Sequence, residues 1–351
     1  MDFLDRLTPT EQFVTFGALK VIGVFAVVMF LVAYVVLIER KVCAAIQDRI
    51  GPNRAGPFGL LQPLADAVKA FLKEDFRPAQ AHPLYFWLAP ALVMIPSLLV
   101  VAVIPFGSTL GNPDNRMVIA DLNIGILYTF GIASLGVYGI VLAGYAANSK
   151  YPLVGGIRSG AQMISYEIAM ALSVIPLFLL VGDLNLGAVI DYQARGLFGW
   201  LIFKQPLAFA IFLAAAFAET NRLPFDMPEA EQELAGGYNI EYSSIKFALF
   251  FMAEYAHMIA ASAMLVTLFF GGWTLPFLGL DQPASTFGGG LLHIGVFLAK
   301  LLVLMLLFVW VRWMWPRFRY DQLMALGWTR LVPLALANIV VTALWLWLKA
   351  A

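Results

Sequence analysis

Long apolar runs alternate with short polar segments along this chain of 351 residues. Four runs carry no charge: Val21–Ile38, Leu84–Phe106, Leu122–Ser149 and Leu331–Leu348. Four more contain or adjoin a single charge: about Ala161–Gly182 with Glu167, Leu197–Ala218 with Lys204, Phe247–Phe270 with Glu254, and Leu291–Val311 with Lys300. At about 1.5 Å per residue, roughly 20 apolar residues in a helix cross the hydrocarbon core of a bilayer. The pattern therefore predicts about eight transmembrane helices, because eight such helices do not bury in one soluble domain. The predicted fold class is all-α, a polytopic membrane protein forming a single integral membrane domain over 1–351.

The connection between the first two runs, residues 39–83, is long enough to have structure or a task of its own. Within it Leu60, Leu61, Leu64, Val68, Phe71 and Leu72 recur at helical spacing, with Asp66, Lys69 and Lys73 on the opposite face. Pro63 suits a first helical turn, and Lys73-Glu-Asp75 closes the pattern. These residues predict an amphipathic helix over about 60–73, lying along the membrane interface. A surface helix that only anchors its loop satisfies the same pattern. The connections Gly107–Asp121, Asp183–Gly196 and Gly271–Gly290 read as ordinary turns rich in Gly, Pro, Asn and Asp.

Composition agrees with the pattern. The chain is 61% hydrophobic and 13% charged, whereas a soluble domain is about a quarter charged. A polar, acid-containing stretch precedes the first run, so no cleavable signal peptide is expected. The single cysteine, Cys43, cannot form an internal disulfide. The zero net charge conceals an asymmetry: loops after odd-numbered runs carry 15 of the 22 Lys and Arg, the opposite side six. The positive-inside rule then places the odd loops in the cytoplasm and both termini outside. Most basic residues of loop 39–83 read as helix anchors. Trp310, Trp313 and Trp315 with Arg312, Arg317 and Arg319 read as an aromatic and basic belt at the end of the seventh run.

One segment departs from this sparse charge. Glu219, Asp226, Glu229, Glu231, Glu233, Glu241 and Glu254 place seven of the 22 acids within 36 residues, mostly in a cytoplasmic loop at 219–246. If Pro228–Leu234 is helical, Glu229 and Glu233 sit one turn apart, which disfavours the helix by roughly 0.2–0.5 kcal/mol. Carboxylates this close titrate as a coupled set and can hold and release protons. A solvated acidic turn satisfies the composition too. A charge at the centre of a membrane costs about 2.5–3.5 kcal/mol on insertion scales. Glu167, Glu219, Glu254 and Lys300 occupy consecutive spans, either snorkelling to the interface or forming an internal polar path. Their succession beside an acidic loop favours the path.

Several chemistries lack their residues. There is no Cys-x-x-Cys, and His82, His257 and His293 are scattered and read as structural, so no metal site is expected. Gly155-Gly156 and Gly288-Gly-Gly290 match neither a phosphate-binding loop nor a dinucleotide fingerprint, and no EF-hand spacing occurs. If the chain serves redox chemistry, electrons come from partner subunits.

Two segments carry a specific resemblance. Gly59-Leu-Leu-Gln-Pro-Leu-Ala-Asp-Ala-Val-Lys69 and Pro224-Phe-Asp-Met-Pro-Glu-Ala-Glu231 resemble the two signatures of the H subunit of proton-translocating NADH:quinone oxidoreductase (respiratory complex I). Arg49-Ile-Gly-Pro-Asn53, Ile164-Ser-Tyr-Glu167, Ala218-Glu-Thr-Asn-Arg222, Asn239-Ile-Glu-Tyr242 and Pro316-Arg-Phe-Arg-Tyr-Asp-Gln-Leu323 are similar to that family in the same order. The likeness runs from about Glu39 to the last span.

The resemblance implies a membrane subunit that forms much of the access cavity for a lipid quinone. It implies quinone-facing roles for Arg40, Arg49 and Asp66, with Phe247, Phe251 and Met252 as apolar lining. It implies a proton path or coupling chain of Glu39, Glu167, Glu219, Arg222, Asp226, Glu229, Glu231, Glu233, Glu241 and Glu254. Quinone would be a substrate, and the chain would bind no cofactor; FMN and iron–sulfur clusters would reside in partner subunits. Partners would be subunits of the peripheral and membrane arms and the lipid bilayer, with nucleic acid not among them. The location would be a bacterial inner membrane. Two alternatives are the membrane anchor of a related energy-converting hydrogenase and a secondary cation/proton transporter. The transporter predicts inverted repeats, and the two halves show no self-similarity.

Overall fold

The computed structural model describes residues 9–110, 116–194, 196, 198–227 and 236–350, so Glu229, Glu231 and Glu233 lie outside the described residues. Helices account for the fold, and no β-strand forms among the described residues. In chain order they are α1 (Pro9–Ile46), α2 (Gln62–Leu72), α3 (Pro83–Leu99), α4 (Gly125–Ala133), α5 (Leu135–Ala146), α6 (Lys150–Val181) and α7 (Leu186–Gln193). There follow α8 (Leu201–Lys204), α9 (Pro206–Glu219), α10 (Ser244–Phe269), α11 (Phe287–Met314), α12 (Tyr320–Ala325) and α13 (Val332–Ala350). Seven described stretches are long and apolar enough to span a membrane, with α4–α5 counted as one and α12–α13 as another. The chain is an all-α polytopic membrane protein.

The remaining apolar run, Leu197–Ala218, does not form one long helix. It breaks into α8 and the 14-residue α9, about 21 Å long at 1.5 Å per residue. Pro206 is the cause: it has no N–H and disfavours helical geometry in Gln205, which sits at φ −135°, ψ 59°. The side chain at the break is tied to α13, where Gln205 Nε2 donates to Thr342 Oγ1 at 3.0 Å and Asn338 Nδ2 donates to Gln205 Oε1 at 3.0 Å.

Interhelical packing centres on α3, α5, α6, α9 and α10. Without a hydrophobic drive between helices in lipid, small residues set the closeness of approach. A Cβ at Gly139 would lie 2.8 Å from Val93 N and 2.5 Å from Val93 Cγ2, so only glycine lets α5 seat on α3. Gly144 does the same against Pro152 O, at 2.4 Å, where α5 meets α6.

The face opposite the 39–83 loop is more ordered than its turn-like sequence predicts. Segment Asp183–Gly196 contains α7, whose N-cap Asn185 accepts from Gly187 N at 2.7 Å and Ala188 N at 3.2 Å. Buried Gln193 ties three segments together, accepting from Leu201 N and Gly271 N and donating to Thr267 O. Lys300 belongs to this face too. Its Nζ donates to Phe270 O, Gly272 O and Thr274 O at 2.6–2.9 Å, capping the C-terminal end of α10. A cation there is favoured by the helix dipole, and among the described residues Lys300 bonds these carbonyls and none of the acids.

Candidate functional site

The site is organised by the turn that ends α9. Thr220 is its C-cap, and Asn221 adopts φ 50°, a left-handed conformation that Asn tolerates better than most residues. Arg222 N donates to Phe217 O and Asn221 N to Ala218 O, the paired bonds of a Schellman ending. The reversal turns the Arg222 side chain back among α1, α10 and α11.

Arg222 sits at the centre of a buried ionic network. Its Nη1 donates to both oxygens of Glu39, at 3.1 and 3.2 Å, and its Nε lies 2.8 Å from Glu254 Oε1 as an ion pair. Arg312 Nη1 also donates to Glu39, and Tyr255 OH donates to Glu39 Oε2 at 2.7 Å. The guanidinium of Arg222 lies over the Tyr255 ring, 4.3 Å from its centroid. Two carboxylates face two guanidiniums, so the cluster is charge-balanced, with Arg222 and Glu39 side chains only 5% and 4% exposed. Burial lowers the pKa of Arg222, but Glu254, Tyr255 and Glu39 outweigh it and hold the side chain above the ordinary arginine value.

A second pair flanks the first. Arg317 Nη2 donates to Asp226 Oδ2 at 2.8 Å, Phe318 N donates to Pro224 O, and the Phe225 and Phe318 rings lie 5.5 Å apart. Gln162 on α6, itself buried, fixes the same turn by donating to Ala218 O and Phe225 O at 2.7 Å each. Glu219 closes α9 beside Thr220 and Asn221 and shares a small cavity with Glu254. Glu167 on α6 is near enough to interact electrostatically with Glu219. Tertiary packing thus orders the acids from Glu39 through Glu254 and Glu219 to Glu167.

On the surface side, α2 packs against α1 and α10. Asp66 accepts from Arg40 Nη1 at 2.7 Å, from Gln62 Nε2 at 3.1 Å and from Lys69 Nζ at 3.4 Å. The far end is tied down by Ser244 Oγ donating to Ala70 O and Lys246 Nζ donating to Asp75 Oδ2, each at 2.9 Å. Leu64, Phe71 and Leu72 are 63–81% exposed, so the apolar face of α2 looks away from the bundle. The helix begins at Gln62; Leu60 and Leu61 belong to the turn ahead of it, despite their helical spacing. Along α10, Phe247, Phe251 and Tyr255 follow one another at four-residue spacing, with ring centroids 6.4 and 5.1 Å apart. This stripe runs from exposed Phe247 to the Tyr255 hydroxyl on Glu39. Met252 is half-buried on the same helix.

The NADH dehydrogenase family matches residues 19–343 of the chain. One NADH-quinone oxidoreductase H subunit of Cytophaga hutchinsonii is 48% identical over 336 residues, 94% of this chain and 96% of that protein. An H subunit of the same enzyme from Geobacter metallireducens is 48% identical over 338 residues, 96% and 98% of the two chains. NADH-quinone oxidoreductase subunit 8 of Rhodothermus marinus is 49% identical over 313 residues, 87% and 90%. The chain belongs to the H-subunit family of NADH-quinone oxidoreductase.

Within this member of the family, the structure does not join every residue singled out from sequence. Arg49 is exposed, and its side-chain Nε donates to Gln47 Oε1 at 2.7 Å. Glu241 lies half-buried in the turn before α10, with no hydrogen bond or ion pair to the acid series among the described residues. Conversely, three members of the network escaped sequence reasoning. Arg312 and Arg317 read as interfacial belt residues, yet both turn inward to carboxylates, while Trp310, Trp313 and Trp315 stay exposed. Tyr255 was legible only as the third aromatic of an i, i+4, i+8 series, which core packing also produces.

Proposed function

We propose that this chain is the membrane subunit of a proton-translocating NADH:quinone oxidoreductase that forms much of the quinone-access cavity and couples quinone reduction to proton movement. The observation that carries this reading is the buried, charge-balanced cluster of Glu39, Arg222, Glu254, Arg312 and Tyr255. It stands at the inner end of an aromatic stripe, Glu254 shares a small cavity with Glu219, and Glu219 in turn feels the charge of Glu167. Phe247, Phe251 and Met252 would line the quinone path, and α2 with the Arg40–Asp66 pair would border its entrance. Relatives named for NADH-quinone oxidoreductase subunits support assembly with peripheral-arm and membrane-arm partners. Those partners would carry the FMN and iron–sulfur clusters. The relatives' bacterial sources and the basic-loop asymmetry support a bacterial inner membrane, with both termini outside.

The physical link is electrostatic. Two-electron reduction of a quinone adds negative charge that attracts two protons. Unit charges 4 Å apart interact by about 4 kcal/mol at an effective dielectric of about 20. A charge change beside Tyr255 and Glu39 therefore redistributes protons over Glu254, Asp226, Glu219 and Glu167. Glu219→Gln, made in the assembled complex, is expected to lower both NADH:quinone reductase activity and protons pumped per electron. An undiminished proton-to-electron ratio would overturn the coupling role. Reversing the charge at Asp66 is expected to slow quinone turnover, and unchanged quinone kinetics would remove α2 from the access route. Hydrogenase activity of the purified assembly, without NADH-dependent quinone reduction, would replace the whole reading.

A further inference from the structure

His257 follows Glu254 by three residues on α10 and so shares its helix face. The three histidines differ in their surroundings. His293 Nδ1 pairs with Ser108 Oγ at 2.6 Å, and His82 stacks on Tyr85 at 4.5 Å between centroids. His257 Nε2 is buried and has no hydrogen-bond partner among the described residues. Leaving such an atom unpaired costs about 1–3 kcal/mol, and an internal water is the usual remedy.

Two small cavities meet at this ring. The first, about 20 Å³, touches Glu219, Thr220, Asn221, Glu254 and His257. The second, about 30 Å³, touches Glu219, Thr220, Thr129 and His257 between Met170 and Phe212. A water needs about 10–15 Å³ and two to four polar partners. Both cavities meet the size requirement, and the first offers two carboxylates, an imidazole and an amide as partners. The position is also a gap in the acid series: Glu254 is ion-paired to Arg222, whereas no direct bond joins Glu254 to Glu219 among the described residues.

We propose that His257 is a positioning residue whose Nε2 holds the water linking Glu254 to Glu219, so that protons cross the gap between these carboxylates through that water. The inference rests on the coupling reading above. In each transfer the donor carboxyl's O–H bond breaks as an O–H bond forms to the water, and one of the water's own O–H bonds breaks as the receiving carboxylate gains that proton, so the water is regenerated. Nothing is oxidised or reduced in this step.

The test uses the assembled complex in membranes. His257→Phe keeps a ring of similar size and removes the nitrogen; His257→Gln keeps a polar group able to hold water. The first is expected to lower protons pumped per electron at least twofold, and the second to restore most of the loss. NADH oxidation by a soluble acceptor that bypasses the quinone should be unchanged in both, reporting assembly. A purely structural role would reduce the amount of active complex and leave the ratio intact. An intact ratio in His257→Phe, or equal losses in both variants, would overturn the proposal. Glu219→Gln run in parallel separates the failures: if it alone lowers the ratio, only the role of His257 falls, and if it too is silent, the coupling reading falls.

Discussion

At the residue scale, the buried ion cluster shows how different two arginines on one carboxylate can be. Arg222 is 5% exposed and serves both Glu39 and Glu254, whereas Arg312 is 36% exposed and serves Glu39. Removing one partner from a buried pair costs about 3–5 kcal/mol, because it strands a charge in low dielectric. Arg222→Gln should therefore destabilise by about that amount, leaving two acids without their shared cation. Arg312→Gln should cost distinctly less, since water reaches that side of the cluster. Thermal unfolding of the two variants, each purified with its complex, checks the order. Equal losses would mean that the pair exposed in this chain is shielded by a neighbouring subunit.

At the element scale, α2 is held at both ends while its apolar face stays uncovered. Partial burial pushes the Asp66 carboxyl up, but the hydrogen bond from Gln62, the charge of Arg40 and the hydrogen bonds from Lys69 and Arg40 outweigh it and leave it below the usual carboxylate range. The sign follows from linkage. A depressed folded-state pKa stabilises above the unfolded value of about 3.9 and loses that contribution as pH falls through the folded value. Protection of the α2 amides against hydrogen exchange, corrected for intrinsic rates, should be level above about pH 4 and fall in more acid solution. Asp66→Asn should show the lower protection throughout. A wild-type profile that stays level into strong acid would mean that the tether to Ser244 and Lys246 alone fixes the helix.

At the scale of the whole molecule, the charge asymmetry makes a topological prediction. Basic residues concentrate on the face bearing the 39–83 loop, 15 against six, which orients a bundle with that face inward. A cysteine replacing Lys349 should react with an impermeant thiol reagent from outside intact cells. One replacing Lys73 should react only after permeabilisation. Buried Cys43 should stay silent in both. The opposite pattern would place the acid cluster on the wrong side for protons taken from the cytoplasm.

The sequence by itself determined the fold class, because apolar runs of membrane length have few places to go but a bilayer, and helices satisfy their own backbone there. It determined the existence of α2 from its periodicity, showed Glu254 as a charge within a span, and marked Glu39 and Arg222 through the family resemblance. It could not divide the fifth apolar run correctly, since hydropathy averages over Gln205-Pro206 while backbone geometry does not. Nor could it separate Lys300 from the acids. One-dimensional order places it in the next span, but the fold sends it to the carbonyls ending α10. Only tertiary structure turned Arg312 and Arg317 from belt residues into counter-ions, brought Tyr255 onto Glu39, and set His257 between two water-sized cavities. A charge within a span is visible in sequence, whereas its partner comes from whichever distant helix packs beside it.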